Sequence, residues 1–233
     1  MKLSIIIPTY NEEKTLKKVV QETLRAFTEP DLLTRSVSKS FDFEIIIVDD
    51  GSTDNTPNIL SNTKDDRVHL IKHLQNFGKG RAIRSGLQVA TGDFVAIQDA
   101  DLEYKPETLH TLYGHLISTE CVVYGKRSGD VGYILNRFGN KVLSFVCNML
   151  FHSNLSDIYT CYKIIPRKIM QELDLQSNGF EIEAEITAKI LKRKFHIIEI
   201  PIDYNPRTFS EGKKINWRDG LRGIITLVVV SIK

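Results

Sequence analysis

Short apolar runs alternate with amphipathic stretches along the first half of the chain. Runs rich in Val and Ile predict strands buried on both faces of a sheet at residues 3–7, 44–48, 68–71, 94–97 and 121–124. Helical spacing and first-turn residues predict helices between them, at 12–27, 53–61, 79–90 and 106–117. This alternation predicts an α/β fold with a mostly parallel central sheet flanked by helices.

The pattern changes after about residue 126. Helices are predicted at 137–151, 166–173, 181–194 and 216–231, and strands at 162–165 and 196–200. Residues 154–157 break the first of these helices, and 205–214 form a polar loop. We expect this half to complete the same domain, which gives a single domain over residues 1–233.

Composition excludes several classes of protein. The 233 residues are 42% hydrophobic and 26% charged, which excludes a disordered chain, a collagen-like fibre and a coiled coil. The net charge of +2 argues against nucleic acid as a partner. Three widely spaced cysteines predict buried free thiols, and the first residues resemble a strand more than a signal peptide, so we expect an intracellular protein.

Three polar segments follow predicted strands, at residues 8–12, 49–54 and 98–103. Ligands of open parallel sheets bind beyond the carboxyl ends of the strands, so we expect these segments to meet. Their carboxylates would repel one another without a cation between them. Asp99, Asp101 and Glu103 offer the hard oxygen ligands that Mg²⁺ or Mn²⁺ prefers, so the segments predict a metal site.

Each segment alone also has a simpler interpretation. Asp-x-Asp and Asp-Gly-Ser are common turn compositions. The glycine-rich residues 76–80 could only cap the following helix, since they lack the Walker A spacing and its Lys-Ser/Thr pair. Residues 50–54 have no glycine at the position that a calcium-binding loop requires. The order and spacing of the segments together favour a functional site.

The same segments carry a resemblance to a known family. They are residues 8–12 (Pro-Thr-Tyr-Asn-Glu), 48–54 (Val-Asp-Asp-Gly-Ser-Thr-Asp), 76–80 (Asn-Phe-Gly-Lys-Gly), 90–93 (Ala-Thr-Gly-Asp) and 99–102 (Asp-Ala-Asp-Leu). The motifs continue at 125–127, 137–140, 157–163, 179–181, 199–202, Arg207 and 212–214. The chain resembles the family 2 glycosyltransferases, which are inverting enzymes of GT-A fold that use nucleotide-sugar donors. The dolichol-phosphate (polyprenyl-phosphate) mannosyl- and glucosyltransferase branch is the most similar.

The resemblance implies a donor site for GDP-mannose or UDP-glucose, with Mg²⁺ or Mn²⁺ as cofactor. Its donor-binding residues would be Pro8, Tyr10, Glu12, Val48, Asp49, Asp50, Lys79, Asp99 and Ala100. Either Asp49 or Asp50 would read the base edge. Asp99 and Asp101 would hold the metal, with Glu103 assisting, although the mannosyltransferase branch often has Gln at that position. Residues 1–125 would then form the donor and metal half, and 126–233 the acceptor half.

Basic residues of the second half match the lipid-phosphate branch. The resemblance implies that Arg127, Arg137, Arg207 and Lys213 bind the acceptor or the diphosphate. Residues 205–223 hold five basic and two acidic side chains, and 126–141 hold four and one. Both clusters adjoin predicted apolar helices, a combination that suits the anionic headgroup of a lipid. Together with the apolar residues 224–230, they predict peripheral contact with the cytoplasmic face of a membrane.

The acceptor decides what catalysis requires. A phosphate monoester can attack the sugar carbon directly, whereas a hydroxyl acceptor needs a carboxylate base. Asp157 is the candidate base, and a helix cap or a hydrogen bond within its own loop is an equal interpretation. The predicted catalytic residues are therefore Asp101, Arg127 and Asp157.

Other classes explain less of the chain. A glycan or other hydroxyl acceptor remains an alternative within the family. A signalling receiver domain would use Asp49, Asp50, Asp99 and Lys126, but it needs about half this length. A dehalogenase-type phosphatase would carry its Asp-x-Asp after the first strand, and an inactive nucleotide-sugar binding module would not need Asp99 and Asp101. A homo-oligomer is left open.

Overall fold

The computed structural model describes residues 1–29, 41–116, 122–128, 134–207, 214 and 216–233, with the backbone alone at 134–138. The strands are β1 (Lys2–Thr9), β2 (Asp42–Asp49), β3 (Val68–Lys72), β4 (Phe94–Ile97), β5 (Val122–Arg127), β6 (Lys163–Pro166) and β7 (Ile197–Ile202). The helices are α1 (Leu16–Thr28), α2 (Thr56–Ser61), α3 (Lys79–Val89), α4 (Pro106–Leu116), α5 (Ile134–Phe151), α6 (Arg167–Glu172), α7 (Ile182–Lys192) and α8 (Trp217–Ile232).

The strands form one seven-stranded sheet in the order β3-β2-β1-β4-β6-β5-β7. The pairs β2–β3, β1–β2, β1–β4 and β5–β7 are parallel, while β6 runs antiparallel to β4 and β5. The predicted α/β fold with a mostly parallel sheet is therefore confirmed. Because β2, β1 and β4 are neighbours and parallel, the segments after them meet at one edge of the sheet. The reversed β6 brings its amino end, at Lys163, to the same edge.

The central strands form the core. Ile5, Ile6, Ile45 and Ile46 are completely buried, as continuous apolar runs predict for strands covered on both faces. α3 packs closely on β1, because a Cβ added at Gly86 would lie 2.7 Å from Ile6 Cγ2.

The structure differs from the sequence predictions at β3 and at the starts of two helices, and it describes only two of the three cysteines. β3 was expected to be buried on both faces, but it is an edge strand and Leu70 is 46% exposed. The first two helices begin later than predicted, at Leu16 and Thr56, because the residues before them form the loops of the candidate site. Cys147 and Cys161 are buried free thiols, as predicted, whereas Cys121 lies outside the described residues.

A buried carboxylate ties β1, β2 and the loop before β4 together at the opposite edge of the sheet. Glu44 accepts hydrogen bonds from Lys2 Nζ (2.7 Å), Ser4 Oγ (2.6 Å) and the Thr91 amide (2.7 Å). Burial alone would raise the pKa of Glu44. The hydrogen bonds from Lys2, Ser4 and Thr91 have the larger, opposite effect and lower the pKa to about 2. The ionised form therefore stabilises the fold.

Replacing Glu44 by Gln is expected to cost about 3 kcal/mol of unfolding free energy at pH 7, since the pKa lies well below the ordinary 4.5. This stabilisation is complete above pH 4.5 and is lost as the pH falls towards 2. Urea unfolding should show the difference between wild type and Glu44→Gln shrinking over that range. The exposed Asp42→Asn on the same strand is the matched control, and a constant difference would contradict the assignment.

Candidate active site

The loops after β1, β2 and β4 are joined by hydrogen bonds. The Asn11 amide donates to Ser52 Oγ (2.9 Å), and the Glu12 amide donates to Thr56 Oγ1 (3.0 Å). Thr15 Oγ1 donates to the carbonyl of Ala100 at 2.6 Å. The predicted convergence of the three polar segments is therefore present, and their side chains are held before any ligand arrives.

The two adjacent aspartates after β2 have different surroundings. Asp50 accepts hydrogen bonds from the amides of Phe77 (3.0 Å) and Gly78 (2.7 Å), and its Oδ1 lies 2.6 Å from His73 Nδ1. Asp49 uses Oδ1 to accept from the Ser52 amide at 2.9 Å. Its buried Oδ2 has no partner among the described residues. A buried oxygen without a donor is costly, so Asp49 offers an acceptor that a ligand could satisfy.

The glycine-rich segment before α3 makes a contact between loops. Gly78 has φ +100°, and a Cβ there would lie 2.4 Å from the carbonyl oxygen of Asn178. That oxygen accepts from the Gly80 amide at 2.6 Å and from the Arg81 amide at 3.2 Å. The carbonyl of Asn178 therefore caps the first turn of α3, and the cap leaves the Lys79 side chain directed at Asp99.

A guanidinium lies among the carboxylates of the first and third segments. Arg207 places Nη1 3.2 Å from Glu12 Oε2 and Nη2 2.9 Å from Asp101 Oδ2, and its amide donates to Glu103 Oε1 at 2.9 Å. Lys214 Nζ adds a contact of 2.7 Å to Glu12 Oε1. Cations of the chain itself thus offset the repulsion that the sequence predicted at this edge.

Asp101 experiences the acidic surroundings most strongly. Burial, together with the charges of Asp99 and Glu103, raises its pKa to about 7, although Arg207 acts in the opposite direction. A carboxylate with a pKa raised in this way gains from any further cation near it. The surroundings of Asp101 therefore suit a divalent metal.

Asp99 is occupied differently. Its Oδ1 lies 2.8 Å from Lys79 Nζ, which is also 3.1 Å from Glu183 Oε1. Burial raises the pKa of Asp99, but Lys79 lowers it below the ordinary value. For Lys79 the directions are reversed: burial lowers its pKa, but the charges of Asp99 and Glu183 raise the pKa well above the ordinary value. Lys79 and Asp99 thus form a stable ion pair.

The three predicted metal ligands are not assembled as a set. Asp99 pairs with Lys79, Asp101 pairs with Arg207, and Glu103 accepts from the Tyr204 hydroxyl at 2.6 Å. Across the described ranges, no group of three or more His, Cys, Asp or Glu side chains is arranged to hold a metal ion. Each of the three carboxylates thus has its own partner within the chain, and their role as metal ligands stays a prediction.

Arg127 and Asp157 form a buried pair. Arg127 Nε and Nη2 lie 2.7 and 2.8 Å from the two oxygens of Asp157, and Asn140 donates to Oδ1 at 2.9 Å. Burial raises the pKa of Asp157, but Arg127 and Asn140 lower it below the ordinary value. The guanidinium also lies 5.0 Å from the ring centre of Tyr204. This geometry makes Asp157 an anchor for Arg127, and its role as a base stays a prediction.

The remaining predicted residues divide into three groups. Tyr10 is half-buried at the site, with Lys214 Nζ 5.7 Å from its ring centre, and Pro8 is half-buried near the end of β1. Val48 and Ala100 are buried at 0% and 3%, so their side chains belong to the core. The side chain of Arg137 and all of Lys213 lie outside the described residues.

Several polar residues of the site were not predicted. Glu183, His73 and Tyr204 contact the predicted residues directly, and Lys163 contacts Glu183. The signal that could have found Glu183 is its position on the apolar face of a predicted helix, where a charge needs a partner. Lys163 carried a similar signal, as a charge within a predicted strand.

Comparison with known proteins identifies relatives of the chain. The model of the family described as Glycosyl transferase family 2 matches residues 4–174. The undecaprenyl-phosphate 4-deoxy-4-formamido-L-arabinose transferase of Pectobacterium carotovorum subsp. carotovorum (strain PC1) is 29% identical over 214 residues. The match covers 91% of this chain and 62% of that protein, so the chain spans less than two thirds of the relative's length.

Solved structures show the same fold. Glucosyl-3-phosphoglycerate synthase from Mycobacterium tuberculosis, in complex with Mn²⁺, uridine diphosphate and phosphoglyceric acid, aligns with a TM-score of 0.74 at 19% identity. The alignment covers 99% of this chain and 78% of that one. Its complex with Mg²⁺ and uridine diphosphate aligns with a TM-score of 0.73 at 19% identity over 99% and 79% of the chains.

Proposed function

Because the chain belongs to glycosyl transferase family 2, we propose that it transfers a sugar from a nucleotide-diphosphate sugar to the phosphate of a polyprenyl lipid. The pairing of Asp157 with Arg127 supports a phosphate acceptor, because both oxygens of the candidate base are engaged while the guanidinium remains 21% exposed. The guanidinium lies against Tyr204, whose hydroxyl donates to Glu103. The relative named for undecaprenyl phosphate supports the same acceptor. In this proposal residues 1–125 hold the donor and 126–233 the acceptor.

The donor nucleotide is proposed to meet Asp49. Its unpartnered, buried Oδ2 can accept a hydrogen bond from an N–H of the base edge, whereas Asp50 is saturated. The M. tuberculosis structures contain uridine diphosphate, which favours a uridine donor such as UDP-glucose over GDP-mannose. Tyr10, half-buried beside this loop, would flank the base.

A divalent metal fits the carboxylates near Arg207. Mg²⁺ or Mn²⁺ typically takes one or two carboxylates and phosphate oxygens, so Asp101, assisted by Glu103 or Asp99, would be sufficient. The raised pKa of Asp101, caused by burial and by the charges of Asp99 and Glu103, supports a cation at this position. When bound, the metal would neutralise negative charge on the departing nucleoside diphosphate. The M. tuberculosis structures hold Mn²⁺ or Mg²⁺, in agreement with this proposal.

The chain's own residues would orient the reacting groups. In the proposed reaction a phosphate oxygen of the lipid attacks the anomeric carbon, and the bond from that carbon to the diphosphate oxygen breaks. The acceptor is already anionic near neutral pH, since the second pKa of a phosphate monoester is about 6, so no proton must be removed. Arg127 would hold the attacking phosphate in line, with Asp157 and Tyr204 fixing its guanidinium.

A hydroxyl acceptor remains the second candidate, because one buried carboxylate oxygen could act as a base. Glu181 accepts from the Gly179 amide through Oε1 at 3.0 Å, and its Oε2 is buried without a partner among the described residues. Glu181 directly precedes α7, two residues from Glu183. Transfer to an alcohol in preference to a phosphate would favour this candidate.

The donor proposal is tested by transfer to a lipid phosphate. Purified protein is offered labelled UDP-glucose or GDP-mannose with a polyprenyl phosphate, in Mn²⁺, in Mg²⁺ or with a chelator. We expect label in the lipid extract with the uridine donor and a metal, and none with the chelator. No transfer from either donor would contradict the proposed function, and transfer in chelator would contradict the metal.

Contact with a membrane is the remaining part of the proposal. In the described part of the chain, no helix combines the length and apolar character needed to cross a bilayer. α5 and α8, which pack together, nevertheless expose Phe145, Met149, Trp217, Leu221, Ile225, Val228 and Ile232. Arg218 and Arg222 are exposed on the same helix as the last five. Apolar and basic side chains together suit an anionic bilayer surface, proposed here as the cytoplasmic one.

Trp217 provides a direct test, because it is the single tryptophan of the chain and is 75% exposed. Vesicles containing anionic lipid should shift its fluorescence to shorter wavelength, while purely zwitterionic vesicles should shift it less. Ile225→Asp should weaken vesicle binding by at least about tenfold, the cost of losing one buried aliphatic side chain. Leu74→Asp, at a fully exposed apolar position beyond β3, is the control. Equal effects of the two variants would contradict the docking surface.

A further inference from the structure

A line of alternating charges runs from the core to the candidate active site. The Lys163 ammonium contacts Glu183 Oε2, and Glu183 Oε1 lies 3.1 Å from Lys79 Nζ. Lys79 Nζ lies 2.8 Å from Asp99 Oδ1. Side-chain exposure rises along this line, from 0% at Lys163 to 3%, 12% and 21% at the next three residues. The line therefore leads from a completely buried ammonium to the edge where the donor is proposed to bind.

Each member comes from a different part of the fold. Lys163 begins β6, Glu183 lies in the first turn of α7, Lys79 begins α3, and Asp99 lies in the loop after β4. Lys163 is further fixed by a contact to the carbonyl of Thr160 and by the ring of Tyr124, whose centre is 5.1 Å from the ammonium. The inner end of the line is thus rigidly held.

Stability alone is a poor explanation for these buried ions. Moving two charges out of water carries a desolvation penalty that their mutual attraction often fails to exceed. Apolar side chains at 163 and 183 could fill the same space without that penalty. What apolar residues could not supply is a second negative charge beside the ammonium of Lys79. Glu183 Oε1 and Asp99 Oδ1 lie 3.1 and 2.8 Å from that nitrogen, so two carboxylates hold it by their charge.

We propose that Glu183 and Lys163 are positioning residues that hold the Lys79 ammonium in place for binding the donor nucleotide. Lysine carries its charge on a flexible stem of four carbons, so one carboxylate partner leaves several orientations open. The second partner, Glu183, removes that freedom before the donor arrives, and Lys163 contacts the other oxygen of Glu183 and so fixes its carboxylate. This inference rests on the proposed function, because it concerns the same donor site.

The test is a double-mutant cycle read out by nucleotide binding. The dissociation constant of UDP in Mn²⁺ is measured by calorimetry for wild type, Glu183→Gln, Lys79→Met and the double variant, with thermal unfolding of each. We expect Glu183→Gln to raise the dissociation constant about tenfold or more, the order of effect of removing one charge from a close ion pair. In the Lys79→Met background the same change should have no further effect, because Glu183 acts through Lys79.

Two further variants separate positioning from stability. Glu44→Gln removes an equally buried carboxylate at the opposite edge of the sheet, so it should lower the unfolding temperature and leave UDP affinity unchanged. Lys163→Met/Glu183→Gln removes both charges and should fold even where a single variant does not, with affinity reduced as in Glu183→Gln.

The outcomes are distinct. Unchanged UDP affinity in folded Glu183→Gln or in the double charge variant would overturn the inference and leave the proposed function standing. Full effects of Glu183→Gln in the Lys79→Met background would also overturn it, since Glu183 would then act by another route. A wild-type protein without affinity for UDP or GDP would overturn the proposed function itself, and the inference with it.

Discussion

Replacing Asp101 by Asn is expected to reduce sugar transfer by at least about 100-fold while leaving the fold intact, comparable to removing a group that stabilises the developing charge of a transition state. Asp101 Oδ2 lies 2.9 Å from Arg207 Nη2. Burial and the charges of Asp99 and Glu103 raise the pKa of Asp101 to about 7. The folded protein alone therefore does not favour the ionised form of Asp101. Replacing the carboxylate by a neutral amide should change the unfolding free energy by less than about 1 kcal/mol. Transfer and urea unfolding are both measured.

The matched control is Asp203→Asn, which removes an exposed carboxylate between β7 and Arg207. It should retain full transfer. Normal transfer by folded Asp101→Asn would refute the metal and diphosphate role of this carboxylate. A loss of transfer caused by unfolding would be visible in the urea data and would contradict the expected stability.

Replacing Asp157 by Asn is expected to lower the unfolding free energy by about 3 kcal/mol, because it leaves the guanidinium of Arg127 largely buried without its counter-charge. Transfer by the folded protein should fall by less than the 10²-fold or more expected for the loss of a general base. The measurements are urea unfolding and the initial rate of transfer, corrected for the folded fraction.

The double variant Arg127→Met/Asp157→Asn distinguishes the two roles. Removing both charges should restore part of the stability lost in Asp157→Asn, since no unpaired ion remains. Transfer should still be impaired, because the proposed phosphate-binding guanidinium is absent. If Asp157→Asn were fully stable but inactive, Asp157 would be a base and the acceptor a hydroxyl.

The position of the site was predictable from the sequence. Segments 8–12, 49–54 and 98–103 follow parallel strands, and parallel strands place their carboxyl ends at one edge. The apolar runs revealed these strands because buried parallel strands lack polar alternation. β3 was the exception, since an apolar run does not show whether a strand lies at the centre or at the edge of a sheet.

The partners within the site were not predictable. The distinction between Asp49 and Asp50 depends on whether the Phe77 and Gly78 amides point at one or the other, which no local pattern encodes. The Lys163–Glu183 contact depends on the reversal of β6, which places the start of this strand at the site edge. The apolar pattern of a strand is the same in either direction.

Arg207 shows the same limit for charges. The sequence placed it in a basic cluster and implied an acceptor role, whereas its guanidinium lies among Glu12, Asp101 and Glu103. A count of charges along the chain does not reveal which opposite charges meet across it. To bind the acceptor as predicted, Arg207 would have to release these carboxylates in favour of a phosphate, or contact the carboxylates and the phosphate at the same time.

The acceptor phosphate distinguishes the proposed function from transfer to a hydroxyl group. Sugar transfer from one labelled donor is therefore compared between a polyprenyl phosphate and the polyprenol of the same length, in the same detergent and metal. We expect labelled lipid from the phosphate and none above background from the alcohol. Equal or faster transfer to the alcohol would contradict the proposed acceptor and would identify a hydroxyl-directed glycosyltransferase.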